Sequence, residues 1–463
     1  MRQTERKAGA GMRGTTIRAL VFVVVAIGLV AGCAESSRPV ATGKGVIRGM
    51  NALIDSPDAL FLIEETSLGT VAYKDSTANR SYDDLSYNFN FEIRIAGNAS
   101  NTRLGTLALD VTKDTEYLFV LTGSVAAPEI VLWQNPAREW AGTETVFELA
   151  FGLATQALGD LDVYFAAPGT PPALGSQVGT LGYQQRLDVR EFPAGQYELT
   201  LTPANDPATV LYRSVNAEYG AAVTNSIVIL EGDPSGTAPI NARLIPESGG
   251  AVELPDALVQ PTMRFLHASI ATGNVDVARN DDFANLLATN LGFAEVSARA
   301  AVPTGVATYD WVPTGNTTPI FSDANRDIAG NSRLLQLLLG EPGNYGVTVL
   351  PDIRRGYSTS ARIRFNHGSL NVDGPIDVYL AEPGRPLTEV LPQTNFLPFS
   401  VSSGYREVQA GDYELTVTRA GNRDTVLAGP EPVALQIGDV VDVVVLDTAD
   451  PNVSDILVLA NTP

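Results

Sequence analysis

The chain has 463 residues, with 31 Lys and Arg against 52 Asp and Glu, two His and one Cys. A formal charge of −21 repels phosphate backbones and argues against nucleic acid as a partner. One cysteine excludes an internal disulfide framework. The length calls for two to four domains, each held by its own core.

At the N-terminus, Arg13 and Arg18 precede an apolar run from Ala19 to Ala31, which ends at Gly32-Cys33. This is the pattern of a signal peptide with a cationic leader and a short hydrophobic segment. As a helix the run covers only about 20 Å against roughly 30 Å of hydrocarbon, so a permanent membrane span is the poorer reading. Met12 offers a second start, with the more usual opening Met-Arg-Gly-Thr-Thr-Ile-Arg; Met1 and Met12 both stay open. The segment Leu29-Val30-Ala31-Gly32-Cys33 resembles the lipobox of bacterial lipoproteins. That resemblance implies fatty acylation of Cys33, cleavage after Gly32, and a membrane contact made through the lipid. Ala34 follows the cysteine where Asp would imply inner-membrane retention, so the resemblance implies the outer membrane, facing either the periplasm or the cell surface. Without residues 1–32 the chain keeps 26 basic and 51 acidic residues, a charge of −25.

Beyond a linker at 33–44, four units of about 108 residues repeat. The first, 45–141, is divergent and runs from Val46-Ile-Arg-Gly-Met-Asn51 through Phe91-Glu-Ile-Arg-Ile95. The second, 145–250, carries Leu161-Asp-Val-Tyr-Phe-Ala-Ala-Pro-Gly169 and Ala194-Gly-Gln-Tyr-Glu-Leu-Thr-Leu-Thr202. The third, 261–354, opens with Met263-Arg-Phe-Leu-His-Ala-Ser269 and continues to Val275-Asp-Val277. The fourth, 360–463, opens with Ile363-Arg-Phe-Asn-His-Gly-Ser369 and repeats both blocks of the second as Ile376–Gly384 and Ala410–Thr418. Period-two alternation, as at Tyr413, Leu415 and Val417, predicts strands with one buried face, and Ala-Pro-Gly, Glu-Pro-Gly and Ala-Gly-Asn mark their turns. Each unit is read as closing on a hydrophobic strand: Tyr117–Thr122, Ser226–Leu230, Tyr345–Leu350 and Val440–Leu446. About seven short strands per unit predict an all-β tandem array of immunoglobulin-like antiparallel β-sandwiches. Only Asp281–Thr289 and Ser332–Leu339 have a composition that allows a short helix. The joints fall near Ala141–Thr145, Pro246–Pro261 and Arg354–Ser360, and the natural picture is a semi-rigid rod.

At Arg264, Phe265, His267, Ala268, Ser269 and Asp276-Val277, and at Arg364, Phe365, His367, Ser369 and Asp377-Val-Tyr379, the chain resembles the domain of unknown function 4397 family. The second unit keeps Asp162-Val-Tyr164 but lacks the histidine, and the first departs most. The resemblance implies a β-sandwich at the cell envelope and brings no agreed activity.

His267, Ser269, Asp276, His367, Ser369 and Asp377 are the candidate ligand-binding or structural residues. One histidine per repeat, in separate domains, cannot share a metal ion, and strand alternation favours half-buried histidines bonded at strand ends. A Ser-His-Asp set lacks a Gly-x-Ser-x-Gly elbow, and the Asp recurs where the His does not. For calcium, Asp323–Gly330 resembles the start of an EF-hand loop, but Ile328 and Leu334 stand where Gly and Glu belong; Asp447, Asp450 and Asp455 form a second, weaker set. No cofactor, metal or catalytic residue is expected. The expectation is a non-enzymatic, lipid-anchored envelope protein that binds a glycan or protein, adheres, or acts as a spacer. The alternative is a periplasmic hydrolase with its active site in one repeat.

Overall fold

The computed structural model describes residues 40–460; Gly32, Cys33 and the leader lie outside them. Among the described residues there are 34 β-strands, one 3-10 turn at Leu387–Glu389 and no α-helix. The chain is an all-β tandem array of sandwiches.

Each repeat has two facing sheets. In the first repeat one sheet orders Arg80–Asp83, Lys44–Asn51, Thr115–Ser124 and Ala127–Pro136, and the other Thr66–Val71, Ala59–Ile63, Ser86–Ile93 and Thr102–Asp110. The third and fourth repeats follow the same order with eight strands each; the second uses ten shorter ones. Each repeat therefore has at least one strand more than the seven expected. Pairing is antiparallel except at the centre of one sheet per repeat. There the leading strand (Lys44–Asn51, Val146–Leu153, Thr262–His267, Ala361–His367) runs parallel to a later partner (Thr115–Ser124, Thr224–Glu231, Arg333–Glu341, Val440–Asp447). This pairing aligns the repeats: Asn51, Leu153, His267 and His367 lie opposite Leu121, Ile229, Leu338 and Val445.

Each repeat packs its own core between its sheets, around Phe61, Phe89 and Phe119 in the first, Phe147, Phe151 and Leu201 in the second, Phe265, Tyr309 and Trp311 in the third, and Phe365, Val378 and Leu415 in the fourth. The sheets built on the parallel pairs are also covered on their second face. Met50, Val120 and Trp133 of repeat one meet Val228, Leu230 and Ile245 of repeat two. Leu266, Leu335, Leu337 and Leu339 of repeat three meet Val444, Leu446 and Leu457 of repeat four. Burial on both faces produces continuous apolar runs: every residue of Val440–Asp447 is buried. Alternation survives in the outer sheets, as along Thr102–Asp110.

Three expectations change accordingly. Ser332–Leu339 is not a helix; Arg333–Glu341 is a central strand, and a short apolar run buried on both sides has no period to reveal it. It, and not Tyr345–Leu350, is the counterpart of Val440–Leu446; repeat three closes on Asn344–Pro351 as read, while repeats one and four close one strand later than read and repeat two closes two strands later. Asp281–Thr289 is a turn leading into Ala288–Leu291. The repeats are also docked on one another, since they make one compact unit. Large apolar second faces on isolated sandwiches would stand in water, and docking removes them. The segment joining repeats three and four is pinned as well. Ser235 Oγ accepts from the N–H groups of Arg354 and Arg355, each at 2.9 Å, and the Arg355 guanidinium donates to the carbonyls of Ile54 (3.1 Å) and Ser56 (2.8 Å).

Candidate binding cleft

His267 and His367 end their leading strands and are fully buried, not half-buried. Nε2 of His267 lies 3.1 Å from the Gly273 carbonyl, and Nε2 of His367 3.3 Å from that of Gly374. The Ser269 N–H donates to Nδ1 of His267 at 3.3 Å, which leaves the proton on Nε2 to donate to Gly273. Burial pushes both imidazoles below their ordinary range, and their hydrogen bonds to the loop backbone oppose this. Each histidine fastens the loop that follows its strand.

The serines make separate bonds. Ser269 Oγ donates to the Gly340 carbonyl at 2.6 Å and meets Thr272 Oγ1 at 2.8 Å, which in turn meets the Tyr345 hydroxyl at 2.7 Å. Ser369 Oγ donates to Asp447 at 2.7 Å. Asp276 accepts from the N–H groups of Asn290 (2.7 Å) and Gly315 (2.9 Å), and Asp377 from those of Phe396 and Gly421, both at 2.8 Å. Asp162 accepts from the Asn205 N–H in the same way. All five donors have positive φ, between 50° and 79°, so the recurring carboxylate holds left-handed turn residues that would otherwise leave a polar group unpaired. Serine hydroxyl, imidazole Nε2 and carboxylate thus bond to different partners, Gly340, Gly273 and the Asn290 and Gly315 N–H groups in repeat three and Asp447, Gly374 and the Phe396 and Gly421 N–H groups in repeat four, and do not converge. The calcium candidates are likewise spent: Asp323 lies in strand Phe321–Ile328, bound by Arg326 and Gln336, and Asp447 accepts from Ser369 and the Asn371 N–H.

Read across the repeats, these contacts form a seal over the segment that follows the leading strand. In repeat one, Asn51 stands for the histidine and bonds Ser56 Oγ (3.1 Å) and the Val71 carbonyl (3.2 Å), while Asp55 accepts from the Val125 N–H. In repeat four, Asn371 adds its own N–H to Asp447 (2.8 Å) and its amide to the Thr448 carbonyl (3.0 Å). Repeat two has Leu153, Thr155 and Ala157 at the positions of His367, Ser369 and Asn371. Among the described residues, the only side-chain hydrogen bond to Ala154–Ala157 is internal, from the Ala157 N–H to Thr155 Oγ1 at 3.2 Å. Among the described residues, Glu231, the counterpart of Asp447, takes a side-chain hydrogen bond only on its backbone carbonyl, from Tyr73, and none on its carboxylate.

Where the seal is missing, a cleft of about 380 Å³ opens between repeats one and two. One wall is the hairpin tip of repeat one, with Gly123, Ser124, Ala127 and Glu129; the other is Ala154–Ala157, Tyr183 and Glu231 of repeat two, and Ala52, Ile54 and Tyr73 complete the lining. The Tyr73 hydroxyl donates to the Glu231 carbonyl at 2.8 Å, and Tyr183 donates to the Glu129 carboxylate at 3.2 Å. Gln184 Nε2 also donates to Glu129. Burial raises the Tyr73 phenol far above its usual range, so it stays neutral. No Lys, Arg or His lines the cleft. In the other pair, Leu339 packs against Gly368, the counterpart of Ala154, and the neighbouring space is only about 10 Å³. The sequence shows that the second unit lacks the histidine, with Leu153 in its place, but gives no sign of Glu129, Tyr183 and Glu231. Its one usable signal was that Leu-Ala-Thr-Gln-Ala replaces a His-x-Ser loop.

The family model described as "Domain of unknown function (DUF4397)" matches residues 261–379, which span repeat three and the first two strands of repeat four. The chain resembles that family over this stretch. No curated protein matches it. Among solved structures, "The Bacillus anthracis TIE protein" aligns at 10% identity over 85% of this chain and 75% of that one, with a TM-score of 0.15; so low a score carries no argument.

Proposed function

We propose that the protein is a lipid-anchored, non-catalytic binding protein of the cell envelope, tethered through Cys33, with its ligand site in the cleft between repeats one and two. The carrying observation is the coincidence of two features: repeat two is the repeat in which the seal is replaced by small residues, and the cleft opens at that place with an uncommitted carboxylate. A volume of about 380 Å³ at a domain junction falls in the range of small-ligand pockets, about 300–1,000 Å³. Departures from a fold's own local rules concentrate at functional sites. The hydrolase reading loses its motivation, because the histidines, serines and aspartates that prompted it are bonded apart from one another.

The tether is tested by intact mass and fractionation. Expression in a lipoprotein-processing bacterium is expected to give a membrane-associated chain that begins at an acylated Cys33, and a Cys33→Ser chain that is released. A wild-type chain recovered unacylated in the soluble fraction would refute the tether. The binding site is tested separately by the experiments below.

A further inference from the structure

Resting on that reading of the cleft, we infer that its ligand is a saccharide unit, recognised through its hydroxyl groups by Glu231, Glu129 and Gln156. The cleft contains acceptors in excess. Glu231 is uncommitted among the described residues, Glu129 is held in place by Tyr183 and Gln184, and no cation lines the walls. A phosphate or carboxylate ligand would meet two carboxylates, while the neighbouring cation Arg355 lies against the Tyr73 ring and is engaged by the Ile54 and Ser56 carbonyls, so charge disfavours anionic ligands. A purely apolar ligand would strip water from both carboxylates without replacing those hydrogen bonds, which is costly. A sugar hydroxyl donates to a carboxylate and also accepts, and Gln156 supplies both a donor and an acceptor. The alanines at 127 and 157 leave room beside the partly exposed Tyr183 for the apolar C–H face of a pyranose ring. The walls come from two repeats docked through Trp133 and Val228, so the site is largely preformed and little ordering cost opposes binding.

The test uses the chain from Ala34 onward, which contains the whole compact unit, titrated calorimetrically with neutral disaccharides (cellobiose, maltose, mannobiose and chitobiose) and with a lysine-containing tripeptide. At least one disaccharide is expected to bind, with affinity falling about tenfold or more in Glu231→Gln. Ala157→Trp, which fills the mouth from an exposed position, is expected to abolish binding, and both variants should keep the parent's melting temperature within a few degrees. Binding of the tripeptide alone, blocked by Ala157→Trp, would overturn the saccharide assignment and leave the cleft as the ligand site. Disaccharide binding untouched by both variants would place the sugar elsewhere and overturn both readings. No binding of any probe would overturn the saccharide assignment. The cleft itself would then stand or fall on whether whole envelope polysaccharide and protein fractions bind the parent and not Ala157→Trp.

Discussion

Gly152 makes the docking of repeats one and two open to a sharp test. It lies on the leading strand of repeat two, and a Cβ added there would sit 2.6 Å from Cζ3 of Trp133 in repeat one, well inside van der Waals contact. Gly152 does not have positive φ, so alanine is acceptable to the backbone and the whole cost of Gly152→Ala comes from the indole. The ring must retreat, overpacking the interface by about 1–3 kcal/mol, and its Nε1 bond to the Gln184 carbonyl at 3.1 Å is lost for about 1 kcal/mol more. A loss of about 2–4 kcal/mol is expected in urea unfolding. On a Trp133→Leu background the same substitution should cost less than about 1 kcal/mol, since the obstructing atoms are gone, giving a coupling energy of roughly 1–3 kcal/mol. A Gly152→Ala cost below about 0.5 kcal/mol, or one unchanged by removing Trp133, would refute the docking of these two sheets.

Other predictions follow from the turns and the buried histidines. Asp377→Ala leaves the N–H groups of Phe396 and Gly421 without their acceptor and should cost about 3 kcal/mol; a change under about 1 kcal/mol in chemical denaturation would show that the carboxylate does not hold these turns. His367 has a folded pKa below that of the unfolded chain, so the unfolded state binds more protons below about pH 6.5. Its contribution therefore makes stability fall as the pH drops through that window, with the loss ending below the folded pKa. His367→Asn should flatten this part of the stability profile relative to the parent, and identical profiles for the two would contradict the neutral, buried imidazole.

The fold class was legible because tandem blocks such as Asp-Val-Tyr and Ala-Gly-x-Tyr keep their order, and because outer strands such as Thr102–Asp110 alternate exposed with half-buried residues over most of their length. What the blocks do was not legible. Tyr197 and Tyr413 donate to the carbonyls of Pro193 and Gln409, four residues upstream, and the aspartates reach turns on two flanking strands, contacts that depend on topology and not on spacing. The inner sheets hid the rest. A strand buried on both faces loses its alternation, so Leu334–Leu339 read equally well as helix, and nothing in one sequence says which apolar face meets which repeat. The cleft was the least visible feature, since it is made by small and ordinary residues standing where the other repeats place a seal. Its carboxylates, Glu129 and Glu231, lie 102 positions apart and meet only through the docking of two repeats.

The central claim, a ligand site at the unsealed segment of repeat two, is tested most directly by amide hydrogen exchange with and without isolated envelope polysaccharide. Without ligand, the N–H groups of Thr155 and Gln156 are expected to exchange quickly and that of Asn371, bonded to Asp447, slowly. With ligand, protection should rise at 154–157 and 123–129 and stay unchanged at 369–371. Protection confined to repeats three and four, or the same slow exchange at 155–156 as at 371 in the free chain, would contradict it.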